Sequence, residues 1–151
     1  MRRSGKMTQR YKEIDLKLKN SDLKITDPRR RVLDILENSG VPVSAESIYL
    51  MIRGDSVKTN LSTVYRTLET FIDKGLAARF NVEKEKKAFY ESIREKHRHY
   101  LVCLGCHKIM ALDICPLSLY EKELEKNTDY SIVKHKLVLY GYCPQCKAAL
   151  G

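Results

Sequence analysis

Four of the five cysteines in this 151-residue chain fall into two identical spacings, Cys103-Leu-Gly-Cys106 and Cys143-Pro-Gln-Cys146, with 36 residues between them. Each C-x-x-C knuckle presents two thiolates on one turn, and two knuckles complete a tetrahedral shell, the arrangement of a structural zinc site that leaves no position for water. The fold is constrained at once. Whatever lies between the knuckles must bring its end back to where it began, and the loop is longer than a plain zinc ribbon uses, so the metal is expected to staple the ends of a small domain. Disulfides are the poorer reading, because the opening residues MRRSGKMTQRYKEIDLKLK lack the apolar core of a secretory signal and the cytosol keeps thiols reduced. A thioredoxin-like redox pair at Cys143 and Cys146 is also disfavoured, since that motif should follow an early strand and open a helix, whereas here it is expected to end a C-terminal strand.

Cys115, His97, His99, His107 and His135 remain as donors. Along a strand, residues two apart share a face, so His97 and His99 can chelate one ion. His135 reads as sharing a strand face with Val133, Leu137 and Leu139, with Lys134 and Lys136 opposite. One imidazole on an apolar face is ordinarily a core residue. Three histidines and a spare cysteine in one small domain favour instead a second site of mixed N/S donors, His97, His99, Cys115 and His135, which suits zinc. His107, in the knuckle turn, is expected to be exposed. A zinc deaminase would need glutamate two residues after a histidine, and none of the four histidines has one.

Residues 95–151 read as an α/β unit. Strands are expected at His99–Leu104 and Lys108–Leu112 about a turn at Gly105-Cys106-His107. A helix should start at Pro116 with Leu117, Tyr120 and Leu124 on one face, followed by a long strand from Tyr130 to Tyr142. Residues 26–94 have another grammar. Asp27-Pro28 marks a helix start whose apolar face is Val32, Leu33, Ile35 and Leu36 and which stops near Gly40. Ser44 should cap a second helix that ends at Gly54, and Asn60 a third. On that third helix, Leu61, Val64, Leu68, Phe71 and Ile72 fall on one side, Ser62, Thr63, Arg66 and Thr70 on the other, and Tyr65 at the border. Small hydroxyls around one arginine suit a helix in a DNA major groove, which needs slim side chains for close approach and a fork donor for guanine. The runs LAARFNV and KAFYES then read as a hairpin, so the expected fold class is α+β: a winged helix-turn-helix followed by a small α/β domain stapled by four cysteines.

The net charge of +9 is concentrated at the start, where residues 1–31 carry eleven Lys/Arg against four acids. Residues 1–25 therefore read as a basic arm or helix, suited to a polyanion or simply solvated. No apolar run approaches the roughly eighteen residues of a membrane helix, and a cytoplasmic location without membrane contact is expected.

A basic arm, a helix containing Thr63-Val-Tyr-Arg-Thr-Leu68, an H-x-H ahead of the first knuckle, and a closing run His135-Lys-Leu-Val-Leu-Tyr140-Gly141-Tyr-Cys143-Pro-Gln-Cys146 together resemble the ferric uptake regulator family of bacterial metal-responsive repressors. The resemblance extends from Thr26-Asp-Pro-Arg29 to Cys146. It implies a homodimer with a winged-helix DNA-binding domain and an α/β dimerisation domain, acting on a pseudo-palindromic double-stranded operator, and not an enzyme. By the same resemblance Tyr65 and Arg66 meet the DNA, with Ser62, Thr63 and Arg29 added to the contact set. The four cysteines hold structural zinc, and Glu91 in Lys87-Ala-Phe-Tyr-Glu-Ser92 matches a regulatory-metal ligand. The chain departs from the family pattern at Pro42, where a histidine is common, and at Ala111, where a carboxylate is usual. Tyr100 also moves the H-x-H one residue further from Cys103, which reverses its strand face unless a β-bulge intervenes. Asp113-Ile-Cys115-Pro-Leu117 is similar to a segment of zinc-sensing members, and thiolate with imidazole favours zinc over iron or manganese as the second, regulatory metal. The expected function is a zinc-responsive repressor. The alternatives are an iron- or peroxide-responsive member of the family or, from another class, a zinc-ribbon module that binds nucleic acid or protein without sensing metal.

Overall fold

A computed structural model describes residues 3–55, 57–83, 85–93 and 98–151, with side chains from residue 9 onward. His97 thus lies outside the described residues. The chain divides into two compact units, Met1–Ile93 and Arg94–Gly151.

The first unit runs α1 (Arg3–Asn20), α2 (Asp27–Asn38), β1 (Val43–Ser44), α3 (Ala45–Arg53), α4 (Leu61–Asp73), β2 (Ala77–Asn81) and β3 (Ala88–Ser92). Its helices start where short polar side chains can satisfy orphan N–H groups. The Ser44 hydroxyl accepts from Ser47 N at 3.2 Å and Asn60 Oδ1 from Thr63 N at 2.8 Å. At α2 the cap is Thr26, one residue before the expected start, with Pro28 in the first turn. The apolar faces converge: Val32, Leu33 and Leu36 from α2, Ile48 and Ile52 from α3, and Val64, Leu68 and Phe71 from α4 are all buried. Thr67 is buried with them, a polar residue that periodicity had left unassigned. Gly75 turns the chain out of α4 at φ +70°, a conformation costly for any residue with a Cβ, and Leu76 N bonds back to Phe71 O at 2.8 Å.

β2 and β3 pair antiparallel with Phe80 opposite Phe89, and β1 adds to the other edge of β3, giving the order β1-β3-β2. Three helices, a short strand between the first two and a closing hairpin make a winged helix. A two-residue strand such as β1 is too short to leave an alternating pattern.

Of the two forms expected for the basic N-terminal segment, an arm or a helix, the described residues take the helix. Residues 3–20 are a helix that buries Ile14 and Leu18 in the winged-helix core, and its charges pair across to α2. Arg10 meets Asp34, Lys17 meets Glu37 at 2.6 Å, and Asp15 takes a two-pronged contact from Arg30 at 2.6 and 2.9 Å. Part of the positive charge read as available to a polyanion is therefore spent inside the unit.

The second unit is built on β4 (His99–Cys103), with β5 (Ile109–Leu112) antiparallel on one side and β6 (Val138–Gly141) parallel on the other. α5 (Ser118–Thr128) makes the crossover, and α6 (Pro144–Leu150) closes the chain. As the central strand, β4 buries His99, Tyr100, Val102 and Cys103 on both faces. Its pairing with β5 is consecutive from His99↔Leu112 to Val102↔Ile109, so no bulge among these residues offsets the extra Tyr100.

Three expectations change here. The long strand from Tyr130 to Tyr142 shrinks to Val138–Gly141, because its ladder can begin only where β4 offers a partner, at Tyr100↔Val138. His135 and Val133 therefore sit on an unpaired segment, and Val133 is 94% exposed rather than on a shared apolar face. α5 begins at Ser118, two residues after Pro116, and buries no side chain within the unit. The second knuckle opens a helix instead of only ending a strand, with Cys143 as its N-cap. Among the described residues no helix is long and apolar enough to cross a membrane.

Candidate functional site

The ends of β4 and β6 lie side by side, Cys103 opposite Gly141, so the turn after β4 and the knuckle after β6 meet. Cys103, Cys106, Cys143 and Cys146 place their sulfurs within 4.8 Å of one another. Cys106 Sγ and Cys143 Sγ are 3.7 Å apart; a regular tetrahedron with Zn–S of about 2.3 Å has edges of about 3.8 Å. Main-chain N–H groups point at the sulfurs, Cys143 N at Cys103 Sγ (3.2 Å) and Cys146 N at Cys143 Sγ (3.5 Å). The N–H groups of Cys143 and Cys106 hold the Cys103 thiol down to about 6. The sulfurs of Cys143 and Cys103 push the Cys146 thiol up to about 12. Four thiolates this close cannot all ionise without a cation between them, and the cluster fits a structural zinc site. Gly105 belongs to this geometry, since a Cβ there would stand 2.8 Å from Cys146 Sγ. Next to it His107 holds φ +59° and is half-buried rather than exposed. A redox reading of Cys143 and Cys146 loses its footing although they open a helix, because both sulfurs belong to the four-membered cluster.

A second cluster lies in the same unit. His99 from β4, Cys115 from the turn before α5 and His135 from the segment before β6 converge. Cys115 Sγ is 3.3 Å from His99 Nε2 and 3.4 Å from His135 Nε2, and the two Nε2 atoms are 2.9 Å apart. The imidazoles stack with centroids 4.8 Å apart. Donors about a tetrahedral zinc stand roughly 3.3–3.7 Å apart, so an opening of a few tenths of an ångström admits the ion with one coordination position to spare. His99 is 2% exposed, whereas Cys115 and His135 are half-buried. His135 Nδ1 bonds to Glu121 Oε1 of α5, which fixes the tautomer that turns the Nε2 lone pair toward Cys115. Nothing in the sequence pointed to Glu121, because the register of α5 against the unpaired segment is set only by packing. Of the sequence-derived set, His99, Cys115 and His135 come together. Glu91 is half-buried on β3 of the first unit, opposite Ala78.

In the first unit, α4 turns Ser62, Tyr65 and Arg66 to solvent, while Thr63 is half-buried. Among the described residues, Arg66 Nε reaches only its own helix, the Ser62 carbonyl at 3.4 Å. Tyr65 donates its hydroxyl proton to Glu46 Oε1 of α3 at 2.7 Å. That bond pushes the phenol up to about 12 and holds the Glu46 carboxyl below its usual range. Arg29, half-buried at the start of α2, donates to the Lys24 carbonyl at 2.8 Å.

A winged helix with a slim polar face on its third helix, in one chain with an α/β unit carrying two metal-donor clusters, defines a metal-dependent, DNA-binding transcription regulator. The chain belongs to the ferric uptake regulator family, whose sequence profile matches residues 20–140. The ferric uptake regulation protein of Yersinia pestis is 35% identical over 127 residues, covering 83% of this chain and 85% of that protein. Among solved structures, the Vibrio cholerae ferric uptake regulator superposes with a TM-score of 0.71 at 31% identity, over 83% of this chain and 96% of that one. The Pseudomonas aeruginosa ferric uptake regulator with manganese gives 0.70 at 26% identity, over 87% and 98%.

Proposed function

We propose that this protein is a zinc-responsive repressor that binds a pseudo-palindromic double-stranded DNA operator as a homodimer. Residues 26–94, sharing one core with α1, form the DNA-binding domain and residues 95–151 the dimerisation domain. The observation that carries the reading is the convergence of His99, Cys115 and His135. This donor set is distinct from the closed four-sulfur cluster, retains an open position, and contains a thiolate that favours zinc over harder divalent ions. Zinc held there supplies positive charge and a fixed geometry that tie β4, the turn before α5 and the segment before β6 together. Cys103, Cys106, Cys143 and Cys146 hold the structural ion.

Dimerisation is supported by the apolar surface of the second unit, where Met110, Ile114, Leu119, Tyr130 and Leu139 are exposed and α5 buries nothing. On DNA, Arg66 reads a base edge, Tyr65 a thymine methyl, Ser62 and Thr63 permit close approach, and Arg29 faces phosphate. For metal to control binding, the ion must prefer the DNA-competent arrangement, and a hundredfold preference corresponds to about 2.7 kcal/mol. The names of the relatives favour iron as a second reading, and the Cys115 thiolate speaks against it.

The test is metal stoichiometry per protomer with DNA affinity, before and after mild chelation, for the wild type and Cys115→Ser. Two zinc ions in the wild type, one lost together with DNA binding, and one in the mutant are expected. One chelation-resistant zinc in both proteins with equal DNA affinity refutes the sensor. Recovery of DNA binding by ferrous iron and not by zinc transfers it to the iron reading.

A further inference from the structure

Tyr65 stands at the edge of the exposed polar face of α4 and is 37% exposed, yet its far end is tethered. Its hydroxyl proton is engaged by Glu46 Oε1 at 2.7 Å, and the other oxygen of Glu46, in the first turn of α3, is buried with no hydrogen-bond partner among the described residues, so the bond to Tyr65 is the contact the carboxylate has there. A free tyrosine beside DNA does two things: it swings among rotamers, and it donates its hydroxyl to phosphate, a contact blind to sequence. The tether removes both. The ring is fixed at each end, so its rotamer freedom is lost on folding rather than on binding. The carboxylate occupies the proton that a phosphate would take and repels a phosphate that approaches it. What Tyr65 can still offer is the apolar ring, and the base group that accepts apolar contact in the major groove is the thymine methyl.

We infer that Glu46 is a specificity-determining residue, which by holding the Tyr65 hydroxyl turns that side chain from a phosphate donor into a reader of thymine methyl groups. The inference rests on the proposed DNA contact of Tyr65 and assigns its selectivity to a residue on another helix.

The experiment uses the zinc-loaded full chain and a duplex selected by the wild type from a random-sequence pool. Each thymine is replaced singly by uracil, which deletes only the methyl group. In the wild type, substitution at one position per half-site should weaken binding about fourfold, the worth of one buried methyl. Glu46→Ala and Tyr65→Phe should each erase that penalty, and the double variant should do no more than either alone. Glu46→Gln, whose amide oxygen can accept the same bond, should restore it. Removing the carboxylate should also raise affinity for unselected duplex DNA. Because Tyr65→Phe leaves α3 untouched, a folding defect in Glu46→Ala does not obscure the result. A uracil penalty lost in Tyr65→Ala but intact in both Glu46→Ala and Tyr65→Phe overturns the tether alone. A profile unchanged even in Tyr65→Ala overturns the DNA contact and the inference with it.

Discussion

Gly105→Ala tests the four-sulfur cluster at its tightest point. The added Cβ would lie 2.8 Å from Cys146 Sγ and 2.9 Å from Cys146 Cβ. Ordinary carbon contacts are about 3.5–4.0 Å, so the overlap is roughly 0.8 Å. A long side chain would rotate away from such a clash, but Cys146 has one rotor and its sulfur is one of four held within 4.8 Å. The strain must therefore appear as a displaced ligand or a displaced turn. Overpacking of this kind costs about 1–3 kcal/mol. If it falls on the metal-loaded state, zinc affinity at this cluster drops roughly 5- to 150-fold. The assay is competition against a chromophoric chelator, with Gly141→Ala as control, since a Cβ there meets nothing within 4 Å. Gly105→Ala should release zinc at lower chelator concentration and melt earlier, and Gly141→Ala should follow the wild type. Equal zinc retention and equal melting in both variants would show that Cys146 does not approach Gly105 as described, and the metal geometry would fall with it.

Glu121→Gln should weaken zinc at the second cluster by about 10–100-fold while leaving the four-sulfur ion in place, because the neutral amide orients His135 less firmly; two-site zinc titration reads both values. Leu18→Ala, which opens a cavity where α1 enters the winged-helix core, should cost about 2–5 kcal/mol in chemical denaturation, whereas a solvated arm would tolerate it. The Asp15 carboxyl is held below its usual 3.8 by the Arg30 contact, and the Glu46 carboxyl below 4.5 by Tyr65. Since both bind protons more weakly folded than unfolded, their stabilisation is present above about pH 4.5 and lost as the pH falls through their lowered values. Asp15→Asn should therefore lower the melting temperature at neutral pH and flatten its acid decline, and an acid limb identical to the wild type would refute the pairing.

The parts legible in the sequence were those written in short-range code. Ser44 and Asn60 announce helix starts because their side chains bond to N–H groups three residues on. Val64, Leu68 and Phe71 mark a buried face because helical periodicity repeats within one element. Other features were out of reach for the opposite reason. Lys17 and Arg10 look like solvated charge until Glu37 and Asp34, 20 and 24 residues away, are placed beside them. The run from Tyr130 to Tyr142 has strand composition throughout, but only the residues that find β4 are paired. The residue type of His135 marks it as a spare donor, whereas the Glu121 that aims it lies on another element and meets it only through packing.

By itself, then, the sequence determined helices α2 to α4, the hairpin, the two knuckles and the supply of spare donors, since each depends on residues near one another along the chain. Tertiary structure alone decided that α1 joins the core, that His99, Cys115 and His135 share one centre, and that Glu46 holds Tyr65. Those outcomes depend on which surfaces pack together, and side chains separated by 16 to 36 residues meet only once the sheet order and helix docking have been settled.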